Sequence, residues 1–211
     1  MSATGSDGIA AGERPAPPAP GGVGLLIIDL LNPMDFEGAE AMATTAMAAA
    51  QAAARLRVEA DGLGVPTVYV NDNFGQWHSD RERIVDAARA ATPLGRRLVE
   101  TIAPRPDDYF VIKPQFSGFY ATHLQVLLPK LGVNRLVLTG LAADICVLFT
   151  AADAHMRAYG LWAPADAVAS SHPAHTEWTL AILRKSMGAQ TASSRELRLS
   201  DWVSAQAPTG A

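Results

Sequence analysis

The chain has 211 residues, 49% of them apolar, and a formal net charge of −4. That is ample for one domain with a real core and too apolar for a disordered chain. Lys and Arg form no cluster of the kind phosphate neutralisation needs, so no nucleic-acid partner is expected. One cysteine leaves no intramolecular disulfide and fits a reducing compartment. No basic segment followed by an apolar run marks a signal peptide. The longest apolar run, 46–54, is interrupted by Gln51 and is too short and too rich in alanine to span a membrane. The expectation is a cytoplasmic enzyme that binds neither membrane nor nucleic acid.

Residues 1–22 are rich in Gly, Ala, Pro and Ser, and the run Pro15-Ala16-Pro17-Pro18-Ala19-Pro20 fits neither ladder nor helix. They read as a disordered, polyproline-like arm, 23–203 as the folded domain, and 204–211 as a flexible tail. Val23 to Ile28 is an apolar run preceded by Gly21-Gly22, the pattern of a strand buried on both faces. Ala39 to Ala60 lacks Gly and Pro and predicts a long helix, stopped by Asp61-Gly62 and Gly64. Pro66 to Val70 predicts a second strand. Helices follow over Arg81 to Ala91 and Gly95 to Thr101, then a third strand over Tyr109 to Ile112. Tyr120 to Leu131 predicts a helix that Pro129 shortens. Arg135 to Thr139 is a fourth strand, and Asp144 to Ala158 a helix. Leu161 to Ala163 is a short fifth strand, His175 to Met187 a helix, and Gln190 to Ala192 a last short strand.

Strand and helix alternating with short connections predict an α/β fold: a single-domain parallel sheet of about six strands with helices on both faces, a Rossmann-like three-layer arrangement. Neither G-x-G-x-x-G nor G-x-x-x-x-G-K-[ST] is present, so no nucleotide cofactor is expected.

Ligands of open parallel sheets bind beyond the carboxyl ends of the strands. Asp29 follows the first strand and Lys113 the third. The fourth runs into Gly140-Leu141-Ala142-Ala143-Asp144-Ile145-Cys146. A carboxylate, an amine and a thiol thus project from one edge. A thiol in the first turn of a helix, near an ammonium, is favoured as thiolate. Asp29 is placed to move its proton, and backbone N–H groups before Cys146 to hold an oxyanion. Taken singly, each residue also has a plain structural account. A lone cysteine packs as a small hydrophobe, Asp29 caps a turn with Asn32-Pro33, and Lys113 precedes a proline-bent loop.

Three blocks carry a resemblance: Leu25-Leu26-Ile27-Ile28-Asp29, then Lys113-Pro114-Gln115-Phe116-Ser117-Gly118-Phe119, then Gly140-Leu141-Ala142-Ala143-Asp144-Ile145-Cys146-Val147. In order and spacing they resemble the isochorismatase-like cysteine hydrolases, over about 23–192. The resemblance implies a six-stranded parallel sheet and a catalytic triad of Asp29, Lys113 and Cys146. It implies a cis peptide at Leu141–Ala142, with the N–H groups of Ala142 and Cys146 as oxyanion hole. It also implies hydrolysis of a small-molecule amide, carbamoyl or lactam C–N bond through a thioester, and a homo-oligomer, dimer or tetramer. The vinyl-ether cleavage of isochorismatases proper, some of which lack the cysteine, is the alternative; a non-catalytic binding or scaffold protein is another.

Nicotinamidases of the family hold a metal at an Asp-x-His after the second strand. Here the stretch is Asn71-Asp72-Asn73-Phe74, and Phe74 cannot coordinate. No metal is expected. Asp72 reads equally as a turn residue and as a pocket residue. Met34, Phe36, Trp77 and Phe119 are the expected pocket walls. His172-Pro173-Ala174-His175 reads as a loop and helix start, and His123 and His155 stand apart.

Overall fold

The computed structural model describes residues 19–205; residues 1–18 of the expected arm and 206–211 of the expected tail lie outside them. Strands β1 (Val23–Ile28), β2 (Thr67–Asp72), β3 (Tyr109–Lys113), β4 (Arg135–Leu141), β5 (Gly160–Trp162) and β6 (Val168–Ala169) form one parallel sheet. Its order is β3-β2-β1-β4-β5, with β6 also on β4. The helices are α1 (Ala39–Leu63), α2 (Arg81–Ala91), α3 (Pro93–Ile102), α4 (Leu124–Lys130), α5 (Leu148–Met156), α6 (Pro173–Met187) and α7 (Leu199–Ser204).

The first apolar run is continuous because both sheet faces are covered. Leu25 and Ile27 pack with the buried residues of α1, α3 and α7, whereas Leu26 and Ile28 pack with those of α4, α5 and α6. The fold is therefore the three-layer α/β arrangement expected. Ala46, Ala49, Ala50, Ala52 and Ala53 are buried along α1, where small side chains bring the helix close to the sheet. Gly62 does not end α1, since glycine inside a helix costs only about 1 kcal/mol. The helix ends at Gly64, whose left-handed φ of 69° forms the cap.

Four expectations are corrected. Ala19 to Gly22 are not part of a loose arm: Ala19 is buried, its N–H bonds to the Leu131 carbonyl, and Pro20–Gly22 make a 3-10 turn into β1. Helix α4 starts at Leu124, because Ala121 takes a positive φ and the Thr122 hydroxyl accepts the Leu124 N–H; Pro129 is accommodated in its last turn. The sixth strand is Val168–Ala169, whose partners are Gly140 and Leu141, while Gln190 contributes only an isolated bridge to Trp162. Helix α7, absent from the sequence reading, closes the described chain.

Candidate functional site

β1 lies between β2 and β4, so the connections leave it in opposite directions and open a crevice at the strands' carboxyl ends. Asp29, Asp72, Lys113 and Cys146 converge there. Asp29 extends the ladder through its N–H to the Val70 carbonyl (3.0 Å), then turns at φ 49°. Buried Asn71 holds the chain beyond it, bonding both the N–H and the carbonyl of Leu31. The Asp72 N–H donates to Asp29 Oδ1 at 2.6 Å. These contacts aim the carboxylate.

β3 is two strands from β1, about 10 Å at ordinary strand spacing. The long stem of Lys113 crosses the end of β2, fully buried, and its ammonium meets Asp29 Oδ2 at 2.8 Å, Asp72 Oδ2 at 3.1 Å and Cys146 Sγ at 3.4 Å. The pairing of Asp72 with Lys113 across β2 and β3 puts both at one level. Asp72 also accepts the Phe74 N–H at 2.7 Å, so it is at once a turn residue and a member of the cluster.

Cys146, partly buried, lies in a π turn, Ala143–Val147, ahead of α5 rather than in the first turn of a regular α-helix. The Val147 N–H reaches back five residues to the Ala142 carbonyl; such turns recur at functional sites. The turn is braced by Asp144, which binds the Ser170 hydroxyl (2.6 Å) and His175 Nδ1 (3.0 Å). In the sequence His175 reads only as part of a helix start. Its neighbour His172 caps α6, accepting the Ala174 N–H.

The electrostatics differ from the sequence expectation of a thiolate. Burial and the Asp29 carboxylate push the Cys146 thiol up, and Lys113 only partly offsets them. Burial raises the Asp29 carboxyl too, against the pull of Lys113. For Lys113, burial acts downward, but Asp29, Cys146 and Asp72 outweigh it and hold the ammonium protonated. Both Asp29 oxygens accept hydrogen bonds, from Lys113 and from the Asp72 N–H, an environment suited to the ionised carboxylate. The resting cluster therefore gathers the Lys113 ammonium, the carboxyl groups of Asp29 and Asp72, and a Cys146 thiol that burial keeps protonated.

A cavity of about 370 Å³ opens over Cys146, lined by Asp29 and Asp72, by Asn32, Leu141 and Ala142, and by Phe36, Met42, Phe74, Phe116 and Ile145. Of the expected walls, Phe36 lines it. Met34 does not: it is buried in the core, with a φ of 55°, and borders a neighbouring hollow. Phe119 is buried against Tyr159 and beneath the Arg157 guanidinium, and Trp77 is 78% exposed outside the cavity. Phe74 and Phe116 take those places. All peptide bonds among the described residues are trans. The cis bond implied at Leu141–Ala142 is thus corrected: the chain runs from β4 into the π turn through trans peptides, with Gly140, near the end of the strand, at φ 122°.

The three-layer fold gathers a carboxyl group, an ammonium and a thiol at the switch point of its sheet. Residues 23–196 match the isochorismatase domain, and the chain belongs to that family of hydrolases. It is 34% identical over 173 residues to an uncharacterized isochorismatase family protein of Bacillus subtilis (strain 168), 82% of this chain and 94% of the other. It is 30% identical over 167 residues to the ureidoacrylate amidohydrolase of Enterobacter sp. (strain 638), 67% of this chain and 72% of the other. The crystal structure of N-carbamoylsarcosine amidase from Thermoplasma acidophilum superposes with a TM-score of 0.62 at 28% identity, over 83% of this chain and 98% of the other. An isochorismatase family protein from Desulfovibrio vulgaris subsp. vulgaris str. Hildenborough gives 0.67 at 24% identity, over 87% and 98%, a likeness of fold.

Proposed function

We propose that the protein hydrolyses a C–N bond of a small amide through a thioester on Cys146. The reading is carried by one observation: the Lys113 ammonium bridges Asp29 at 2.8 Å and Cys146 at 3.4 Å beneath a cavity open to a ligand. Amidohydrolases among the chain's relatives support it.

The substrate carbonyl carbon is positioned over Sγ. As Sγ attacks, its proton passes to Asp29, so no thiolate accumulates beforehand. The carbonyl π electrons move to oxygen, where the backbone N–H of Cys146, in the turn that lines the cavity, is the proposed donor. The intermediate collapses, the C–N bond breaks, and Asp29 gives its proton to the departing nitrogen. Water then attacks the thioester, Asp29 takes its proton, and Sγ leaves with that proton as the acid is released. Lys113 keeps the Asp29 carboxylate ionised and oriented and compensates charge on sulfur.

Cys146→Ala and Cys146→Ser are expected to lower kcat for amide hydrolysis by roughly three orders of magnitude or more, measured as ammonia release over a panel of small amides. An alanine variant with wild-type turnover overturns the thioester. If that variant also cleaves a vinyl ether to pyruvate, the proton-transfer chemistry of Asp29 alone is the better account.

A further inference from the structure

We infer that the cavity is built for an uncharged, apolar amide and rejects amides that carry a carboxylate. This rests on the hydrolytic reading above and adds the substrate class to it.

Phe36, Met42, Phe74, Phe116, Leu141 and Ile145 supply most of the wall, and Asn32 and the Cys146 thiol are its neutral polar side chains. The charged side chains facing the ligand are two carboxylates, Asp29 and Asp72; among the described residues that line the cavity none is Lys or Arg. The ammonium beneath them is Lys113, and an ammonium has three N–H donors. Its contacts with Asp29, Asp72 and Cys146 account for all three. It has none left for a ligand carboxylate. Arg83, across Phe74 in the adjoining hollow, is engaged by Asp80 and by the His78 carbonyl.

Asp29 and Asp72 share the one ammonium, so the site has no unpaired positive charge to offer a ligand. A ligand carboxylate entering it would lose water, find no Lys or Arg in the wall and face Asp72 at close range, where low dielectric strengthens repulsion. An aryl or alkyl group in the same place would exchange water for Phe36, Phe74 and Phe116. The volume, about 370 Å³, is at the small end for ligand pockets, roughly 300–1,000 Å³, which suits a single ring or a short chain beside the amide.

The test uses twins that differ in a methyl or a carboxylate: 4-methylbenzamide against 4-carbamoylbenzoate, and butyramide against succinamate. With the full chain at neutral pH, ammonia release is expected to give the neutral twin a kcat/KM at least about 100-fold higher in each pair. Phe74→Arg, at a position already 40% exposed, adds a cation at the rim and is expected to raise the anionic twin selectively. Equal or better use of the anionic twin by the wild-type chain overturns the inference. If no amide is turned over, the hydrolytic reading fails. Charge preference is then decided separately by protection of Cys146 from iodoacetamide. Protection by the neutral twin alone upholds the inference; protection by the carboxylate twin, or by neither, overturns it.

Discussion

Asp29 and Lys113 were legible as reactive residues because each ends or follows a strand in a parallel fold, and that edge is where ligands bind. Their protonation was not legible, since it depends on what surrounds them after folding. Lys113 is held by two carboxylates, Asp29 and Asp72, and the second came from a residue that reads equally well as a turn former. Burial and the Asp29 carboxylate push Cys146 up rather than down, and the base that takes its proton sets the pH dependence. A carboxylate works as a base only when ionised. Because the Asp29 carboxyl is raised, kcat/KM should fall with decreasing pH at a midpoint above the ordinary carboxylate range. The apparent midpoint belongs to the coupled cluster rather than to one residue. Lys113 is shifted upward, so its deprotonation should cause no alkaline loss near neutrality. A pH profile of kcat/KM on a neutral amide checks this. A rate that instead climbs through about 8.5, where a free thiol titrates, would identify a preformed thiolate as the active species and remove Asp29 from the role.

At the scale of elements, what the sequence disclosed followed from burial on both faces and what it concealed followed from tertiary contact. β1, α2 and the core of α1 were readable from uniform apolar runs and helix formers. β6 is two residues long, below any periodic signal, and exists because Gly140 and Leu141 offer it partners. Phe74 and Trp77 share one loop, and Phe74, at a positive φ, lines the cavity whereas Trp77 does not. The π turn likewise depends on where β4 delivers the chain. Gly140 governs that delivery: its φ is 122°, and a Cβ there would overlap the Ile28 carbonyl oxygen on the neighbouring strand. Gly140→Ala should therefore destabilise the fold by about 3 kcal/mol or more and displace Cys146 as well. Gly62→Ala is the contrasting case. That residue lies inside α1 with open space around it, so alanine should stabilise by about 0.5–1 kcal/mol. Urea denaturation of the pair measures both; similar midpoints would show that the Gly140 backbone is not the constraint described.

Across the whole molecule, the site lies at one end of the sheet and a different polar structure secures the other. Arg135, the first residue of β4, is 2% exposed and has no carboxylate partner among the described residues. Its guanidinium instead donates to the carbonyls of Gly21, Trp202, Val203 and Ala205, and it stacks over the Trp202 ring at 5.5 Å. Burial lowers its pKa, but arginine keeps its charge in proteins, and the rigid fork of five donors matches carbonyls converging from two chain segments. The segment before β1 and helix α7 after the last bridge are thus drawn together by one side chain, although they are far apart in sequence. Arg135→Met fills similar space and leaves those carbonyls without their donor, which should cost about 2–4 kcal/mol. Arg135→Lys, with fewer donors and no fork, should recover only part of it. β4 spans seven residues, about 23 Å at a strand's rise, so Cys146 at its far end should keep its kcat/KM in both variants at temperatures where they remain folded. Thermal unfolding together with assays well below the transition separates the outcomes. A lowered Tm with unchanged kcat/KM is expected, whereas lost activity at an unchanged Tm would mean that Arg135 serves the site and not the closure of the chain's ends.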